Sequence, residues 1–403
     1  MSKFSLYQTN ITSNTYEDLD VTPNIYEYYT VPVFPGGQRG ERSNIVQATV
    51  TGLIYLYASS TNKLEIIDVR DPDNIFVAAY PNISIPSAGS HRLLSDSKYL
   101  YLKLNSSAVS GLNNDTLIID WETSELTPSI VKTLPVTGLV GAEPTSGDII
   151  VRRNKLTYNN LLFGVDNTGK LTIHNIADPV NPVLLSSTDP LNGQFLPQSF
   201  SFDATTGRLY YTCIRVGGSG TNCGYFSVAS NGTITGRTDA VVHNSADQLH
   251  LSGVIFQNQV WWQYPNGSNL VGRNLTTLAI DNGLLWGGQV FGTRKPLVYK
   301  NYLYVSRYIA HASYNAITIY DNSQPYPQPI ATLGALNTQT TCVLISHDVL
   351  YYLIDGDSTL RLYDISNPTT PVALDSVLLS SGPLAISGYP SEGWDSQNGL
   401  CSI

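Results

Sequence analysis

Residues 64–74 read LEIIDVRDPDN, an apolar run that ends in Asp68 and passes into a turn carrying Pro72. The run suits a strand, because Ile and Val pack well on a pleated surface, whereas Asp and Pro favour the turn that follows. The pattern recurs as LIIDWETSELTP (117–128), LTIHNIADPVNP (171–182), ITIYDNSQPYP (317–327) and LRLYDISNPTTP (360–371). Aligned on Asp68, Asp120, Asn175, Asp321 and Asp364, the copies are 52, 55, 146 and 43 residues apart. The long gap has the length of three units and holds two degenerate copies, CGYFSVASNGTI (223–234) and NLTTLAIDNGLL (274–285). Seven units of roughly 49 residues result, a period that signals a repeat architecture.

Each unit contains more than this one strand. An alternating apolar and aromatic strand precedes it, as in GLIYLYAS (52–59), KYLYLKL (98–104), NYLYVSRY (301–308) and VLYYLID (349–355), and a shorter strand precedes that, as in IVQATV (45–50) and TCVLI (341–345). A fourth strand follows the turn, as in SIVKTL (129–134) and LWGGQV (285–290). Four strands in each of seven units predict an all-β chain, a seven-bladed β-propeller of four-stranded antiparallel blades. The expected blades span about 45–82, 87–136, 146–191, 198–241, 247–291, 294–337 and 338–382. Residues 1–44 are expected to be an extension with an orphan outer strand in DLDVTPNIYEYYTVPV (18–33), and 383–403 a tail that packs back on the ring.

The L-x-I-x-D-x-x-D/N-P-x-x-P pattern followed by an apolar strand resembles the LVIVD-type propeller repeat across about residues 45–382. The match is good in the first, third and seventh units and poor in the fourth and fifth. This resemblance implies a fold and no particular reaction, since propeller repeats serve many functions. The repeated Asp reads as a turn former whose carboxylate accepts the N–H two residues on. A metal-binding ring of these carboxylates is not expected, because each stands on a separate blade.

Composition excludes several classes. Hydrophobic residues make up 42% and charged residues 13%, so the chain can bury cores and lacks the charge of a disordered protein. Its 26 Tyr, 32 Gly, 22 Pro and single Met suit strands joined by tight turns. A net charge of -9 argues against nucleic acid, whose binding needs a basic face. No run approaches the roughly 20 apolar residues of a membrane helix, and MSKFSLYQTNITSNTYEDLD has no apolar core of a secretory signal. The GxSxG, HExxH, P-loop, EF-hand and GxGxxG patterns are absent, as are the sialidase-type Asp box and the kelch and WD repeats. The six His (91, 174, 243, 250, 311 and 347) are scattered, and neither a metal site nor a cofactor is expected.

With strands named a to d from the inside outward, the b–c and d–a connections emerge on one face, and the longest connections are of these two kinds. Ligand or partner contact is therefore expected there. Its candidate residues are Asn105, Asn114, Arg215, Tyr264, Arg273, Arg307, Tyr308, His311 and Tyr314. Tyr rings and Asn amides suit a protein or glycan partner. Tyr55, Tyr101, Trp261, Tyr304 and Tyr352, on the b strands, are expected to be inter-blade core instead. Cys213 and Cys223 flank IRVGGSGTN symmetrically about Gly218 and are expected to face each other across a hairpin, as a disulfide or as two thiols; Cys342 and Cys401 form a second candidate pair. Seven N-x-S/T sequons, at Asn10, Asn82, Asn105, Asn114, Asn231, Asn266 and Asn274, are weak evidence of glycosylation in a chain this rich in Asn, Ser and Thr. The expectation is a non-catalytic binding or structural module on an extracellular or virion surface; the alternative is a propeller hydrolase or lyase with its site at the central channel.

Overall fold

The computed structural model describes residues 25–28, 32, 34, 38, 40, 46–49, 55–60, 63–83, 85, 90–95, 99–105, 116–121, 126–134, 150–152, 157–165, 170–188, 195–215, 221–243, 253–256, 259–263, 269–278, 280–285, 297–306, 315–321, 328–336, 340–346, 348–354, 358–380 and 383–389. The chain divides into two units, Met1–Gly52 and Leu53–Ile403. The second is a seven-bladed β-propeller built of seven four-stranded antiparallel sheets. In six blades the strands run in chain order from the innermost, a, to the outermost, d.

Blade 1 differs, and here two expectations are corrected. Its innermost strand is Pro383–Tyr389, paired with Tyr55–Ser60, and then come Lys63–Asp68 and Phe76–Ala79. The stretch expected to be a tail over the ring therefore begins as a blade strand: PLAISGY meets strand b from Tyr55↔Tyr389 to Ser60↔Pro383. The segment expected as the inner strand, IVQATV, belongs to the first unit, where Val46–Thr49 pairs with Ile25–Tyr28. That pairing also places the orphan strand, which is no blade's outer strand. The physical reason is closure: a ring whose last strand comes from the far end of the chain has no unpaired inner edge. Within the first unit, Phe34 N–H donates to Gln38 O and Gly40 N–H to Pro32 O, each at 2.8 Å.

The fifth blade carries a further correction. Its c strand is Asn269–Asn274 and its d strand Ile280–Leu285, so NLTTLAIDNGLL contains the c–d turn and the outer strand, one strand later than its sequence suggests. The degenerate copy lacks the Asp and Pro that mark the turn elsewhere.

The core lies between blades. Strand b residues alternate between the two neighbouring blades: Leu100 and Leu102 join Leu56, Leu64 and Ile66 of blade 1, whereas Tyr99 and Tyr101 join Val151 and Leu162 of blade 3. Tyr55, Tyr101, Tyr304 and Tyr352 are buried, as inter-blade packing requires. Burial stabilises by roughly 1.5–3 kcal/mol for each large apolar side chain. Phe202 is enclosed by Phe163 at 4.9 Å and Tyr158 at 5.0 Å, and the Arg152 guanidinium lies 5.2 Å from its ring centroid.

A repeated lock ties the turns together. At the end of strand c, the last residue or the one after it donates its N–H to a residue in the a–b turn: Ile176 to Asn160 O at 2.8 Å, Val228 to Gly207 O at 2.7 Å and Ile365 to Asp348 O at 2.7 Å. The three acceptors share a left-handed backbone, with φ of 57°, 67° and 63°. Gly207 also has no room for a side chain, since a Cβ there would come within 2.7 Å of Val228 O. Gly207→Ala is expected to cost about 1–3 kcal/mol in urea unfolding, through a strained φ and a displaced lock. Gly236→Ala, whose Cβ would meet nothing closer than Ser227 at 3.9 Å, is expected to be neutral or slightly stabilising in the same measurement.

Candidate functional site

Antiparallel order sends the a–b and c–d turns to one face and the b–c and d–a connections to the other. The first face is closed by its own chemistry. Asp68 Oδ1 accepts Arg70 N–H at 3.1 Å, Asn175 Oδ1 accepts Ala177 N–H at 2.8 Å and Asp364 Oδ1 accepts Ser366 N–H at 2.8 Å, the expected Asx turns. A second turn follows each: Asp71, Asp178 and Asn367 accept the N–H groups of Asp73, Val180 and Thr369 at 3.1–3.2 Å. The Asn181 amide donates to Asp178 and is the main cause that holds this carboxyl below its ordinary range. The degenerate units keep the device with other residues, as Asn231 accepts Thr233 N–H at 3.0 Å and Asn274 accepts Thr276 N–H at 2.8 Å.

Of the candidate residues, the structure brings two to the b–c end. Asn105 closes strand b of blade 2, opposite Ser90, and Arg215 closes strand b of blade 4, opposite Phe195. Blades 2 and 4 are not neighbours, so these two positions flank blade 3. Arg273 is corrected. It lies near the far end of strand c, at the c–d turn, and is buried, with one guanidinium nitrogen donating to Leu278 O at 2.7 Å. Asn114, Tyr264, Arg307, Tyr308, His311 and Tyr314 lie outside the described residues, as does Cys401. The expected register of the first cysteine pair is out by one: Cys213 stands opposite Asn222, and Cys223 opposite Thr212. The two cysteines thus occupy successive rungs rather than one. Cys342 lies on the innermost strand of blade 7, Thr340–Ser346.

Two polar groupings escape the sequence reading. Lys103, 3% exposed, sits on strand b of blade 2 between Arg92 on strand a and Thr116 on strand c. In KYLYLKL it lies on the same face as Tyr99 and Tyr101, and strand b of a propeller has a neighbouring blade on both faces. The second grouping is in blade 4. The buried Tyr211 hydroxyl donates to Asp239, which also takes two Arg237 donors at 2.7 and 2.8 Å. Gly224 lies between them in register and has no space for a Cβ, which would come within 2.8 Å of the Tyr211 hydroxyl. Neither element could be found from spacing, because partners 28 residues apart meet only through the register.

Among the described residues no group of three His, Cys, Asp or Glu side chains could hold a metal ion, and no helix is long and apolar enough to cross a membrane. No family model matches the chain, and no curated protein matches it. Solved structures do resemble it in fold. The Pseudomonas aeruginosa periplasmic gluconolactonase aligns with a TM-score of 0.59 at 10% identity, over 83% of this chain and 98% of that one. A Bacteroides fragilis protein assigned by name to the 6-phosphogluconolactonases aligns with a TM-score of 0.58 at 11% identity, over 83% and 97%. A Lactobacillus plantarum protein aligns with a TM-score of 0.57 at 10% identity, over 82% and 98%. At such identities the likeness is one of fold.

The Asp239 cluster sets a pH dependence. Burial works to raise this carboxyl, but the Arg237 and Tyr211 donors outweigh it and hold it below its ordinary value of 3.8. A depressed folded value contributes stability above the unfolded value, and that contribution is lost as pH falls through the folded one. Asp239→Asn is expected to lower stability near neutral pH and to flatten the acid limb below about pH 4, measured by urea unfolding across pH.

Proposed function

We propose that the propeller is a binding module that contacts a protein or glycan surface through its b–c and d–a connections, in an extracellular or virion-surface setting. The observation that carries this reading is the turn chemistry that occupies the a–b and c–d face. On the a–b and c–d face, Asx turns and backbone locks occupy the polar groups that would otherwise recognise a partner. Recognition then falls to the opposite face, whose connections supply Asn105, Asn114, Arg215, Tyr264, Arg307, Tyr308, His311 and Tyr314. Uncharged amides and phenols among them favour a neutral glycan, stacked on rings and read through its hydroxyls. Low charge and a high content of Tyr, Asn, Ser and Thr support the setting.

Replacing Tyr308 and Tyr314 with Ala is expected to weaken retention on an array of neutral glycans at least about tenfold, with the melting temperature nearly unchanged. Substitutions in the c–d turns, such as Asn181→Ala, should leave retention intact. Equal loss from the turn variants, or a large loss of stability from the tyrosine variants, would remove the assignment.

A second reading has its own support. The gluconolactonase names carried by proteins of like fold favour a hydrolase that opens a sugar lactone at the channel mouth. Hydrolysis of glucono-δ-lactone by homogeneous protein would replace the binding reading with this one.

A further inference from the structure

Six of the seven innermost strands are tied to their own blade by an a–b turn. The seventh, Pro383–Tyr389, reaches blade 1 from the other end of the chain and pairs with it without an a–b turn. The chain enters this strand directly from blade 7, where Leu379 N–H donates to Ser358 O at 2.9 Å. One residue on, Ser380 is gripped from blade 1: Glu65 Oε1 accepts its N–H at 2.9 Å and its hydroxyl as well. Glu65 lies on strand c, opposite Ala58, and is 0% exposed. Among the described residues its second oxygen, Oε2, is buried with no hydrogen-bond partner. Further out on the same seam, Asp375 of blade 7 accepts Ile75 N–H of blade 1 at 2.9 Å.

These contacts differ from those at the seam between blades 4 and 5. Between blades 4 and 5, Arg208 and Tyr210 both donate to Leu275 O, at 2.7 and 2.8 Å, leaving the shared carbonyl doubly satisfied. At the closing seam one carboxyl is half satisfied, and a buried polar atom without a partner forfeits its solvation without recompense. The seam therefore combines a strand with no covalent turn and an anchor whose own burial opposes it.

We propose that the ring opens at this seam: Ser380 and the strand Pro383–Tyr389 act as a detachable latch, and Glu65 is the catch that seats it. Withdrawal of the latch exposes the inner edge of Tyr55–Ser60 while each other blade keeps its four strands. Ser380 lies on a d–a connection, so the catch stands on the same face as the candidate recognition loops. The latch stands or falls independently of what those loops bind.

Hydrogen exchange followed by mass spectrometry on the full chain tests it. In the native protein, 383–389 is expected to exchange at least about tenfold faster than Thr340–Ser346, the innermost strand of blade 7. Glu65→Ala should accelerate 383–389 about tenfold more and leave Leu161–Val165 in blade 3 unchanged. Should Glu65→Ala not fold, Ser380→Ala removes only the hydroxyl donor and is expected to give the same local acceleration to a smaller degree. Equal or greater protection of 383–389 in the native protein overturns the proposal. So does a variant that accelerates all blades alike, or one that leaves 383–389 unchanged.

Discussion

Ring closure is the constraint on which the rest of this propeller depends. A sheet edge left open at the first blade would present unpaired N–H and C=O groups to the channel and deprive two inter-blade cores of one wall. The chain meets the constraint by lending blade 1 a strand from residues 383–389, so blade 1 is complete only once the last segment is in place. Leu56, Leu64 and Ile66 of blade 1 share one buried cluster with Leu353, Leu360 and Leu362 of blade 7 and with Ile386 of the closing strand. Their burial and the seating of that strand are thus one event.

The remaining order follows from how each blade meets the next. Apolar side chains from strands b and c fill both flanks, which explains why even Lys103 and Thr116 are buried at mid-blade. Polar contacts mark the seams. Tyr299 and Lys300 of blade 6 reach Asp348 of blade 7, Ser186 of blade 3 accepts Ile234 N–H of blade 4, and Glu65 holds Ser380. Each joins residues at least 48 positions apart, so each helps to set the stagger of neighbouring blades.

The a–b and c–d turns form a system of their own. Turn chemistry on the a–b and c–d face is local and repeated, and it fixes that face without help from other blades. The b–c and d–a connections differ in length from blade to blade. Tyr211, Asp239 and Arg237 meet across strands: a buried phenol finds its acceptor on the outer strand only because Gly224 leaves the way open.

The sequence by itself determined the fold class, the number of blades and the turn chemistry, because each rests on signals that recur within about ten residues. Alternation marks strand b, and the Asp and Pro of the repeat mark the c–d turn. What failed were the places where local signals are weak. PLAISGY carries Gly, Ser and Pro and reads as a tail, whereas Val46–Thr49 alternates well and reads as a blade strand. The fifth unit lost its turn marker, and Arg273 moved to the opposite end of its blade with it. One residue of register separates Cys213 and Cys223 from facing each other, and symmetry about a glycine could not supply it. Tertiary structure alone decided which end of the chain closes the ring, which strand flanks meet, and hence that Glu65, Lys103 and Tyr211 are buried. Those outcomes depend on contacts between residues tens to hundreds of positions apart, and no local pattern encodes them.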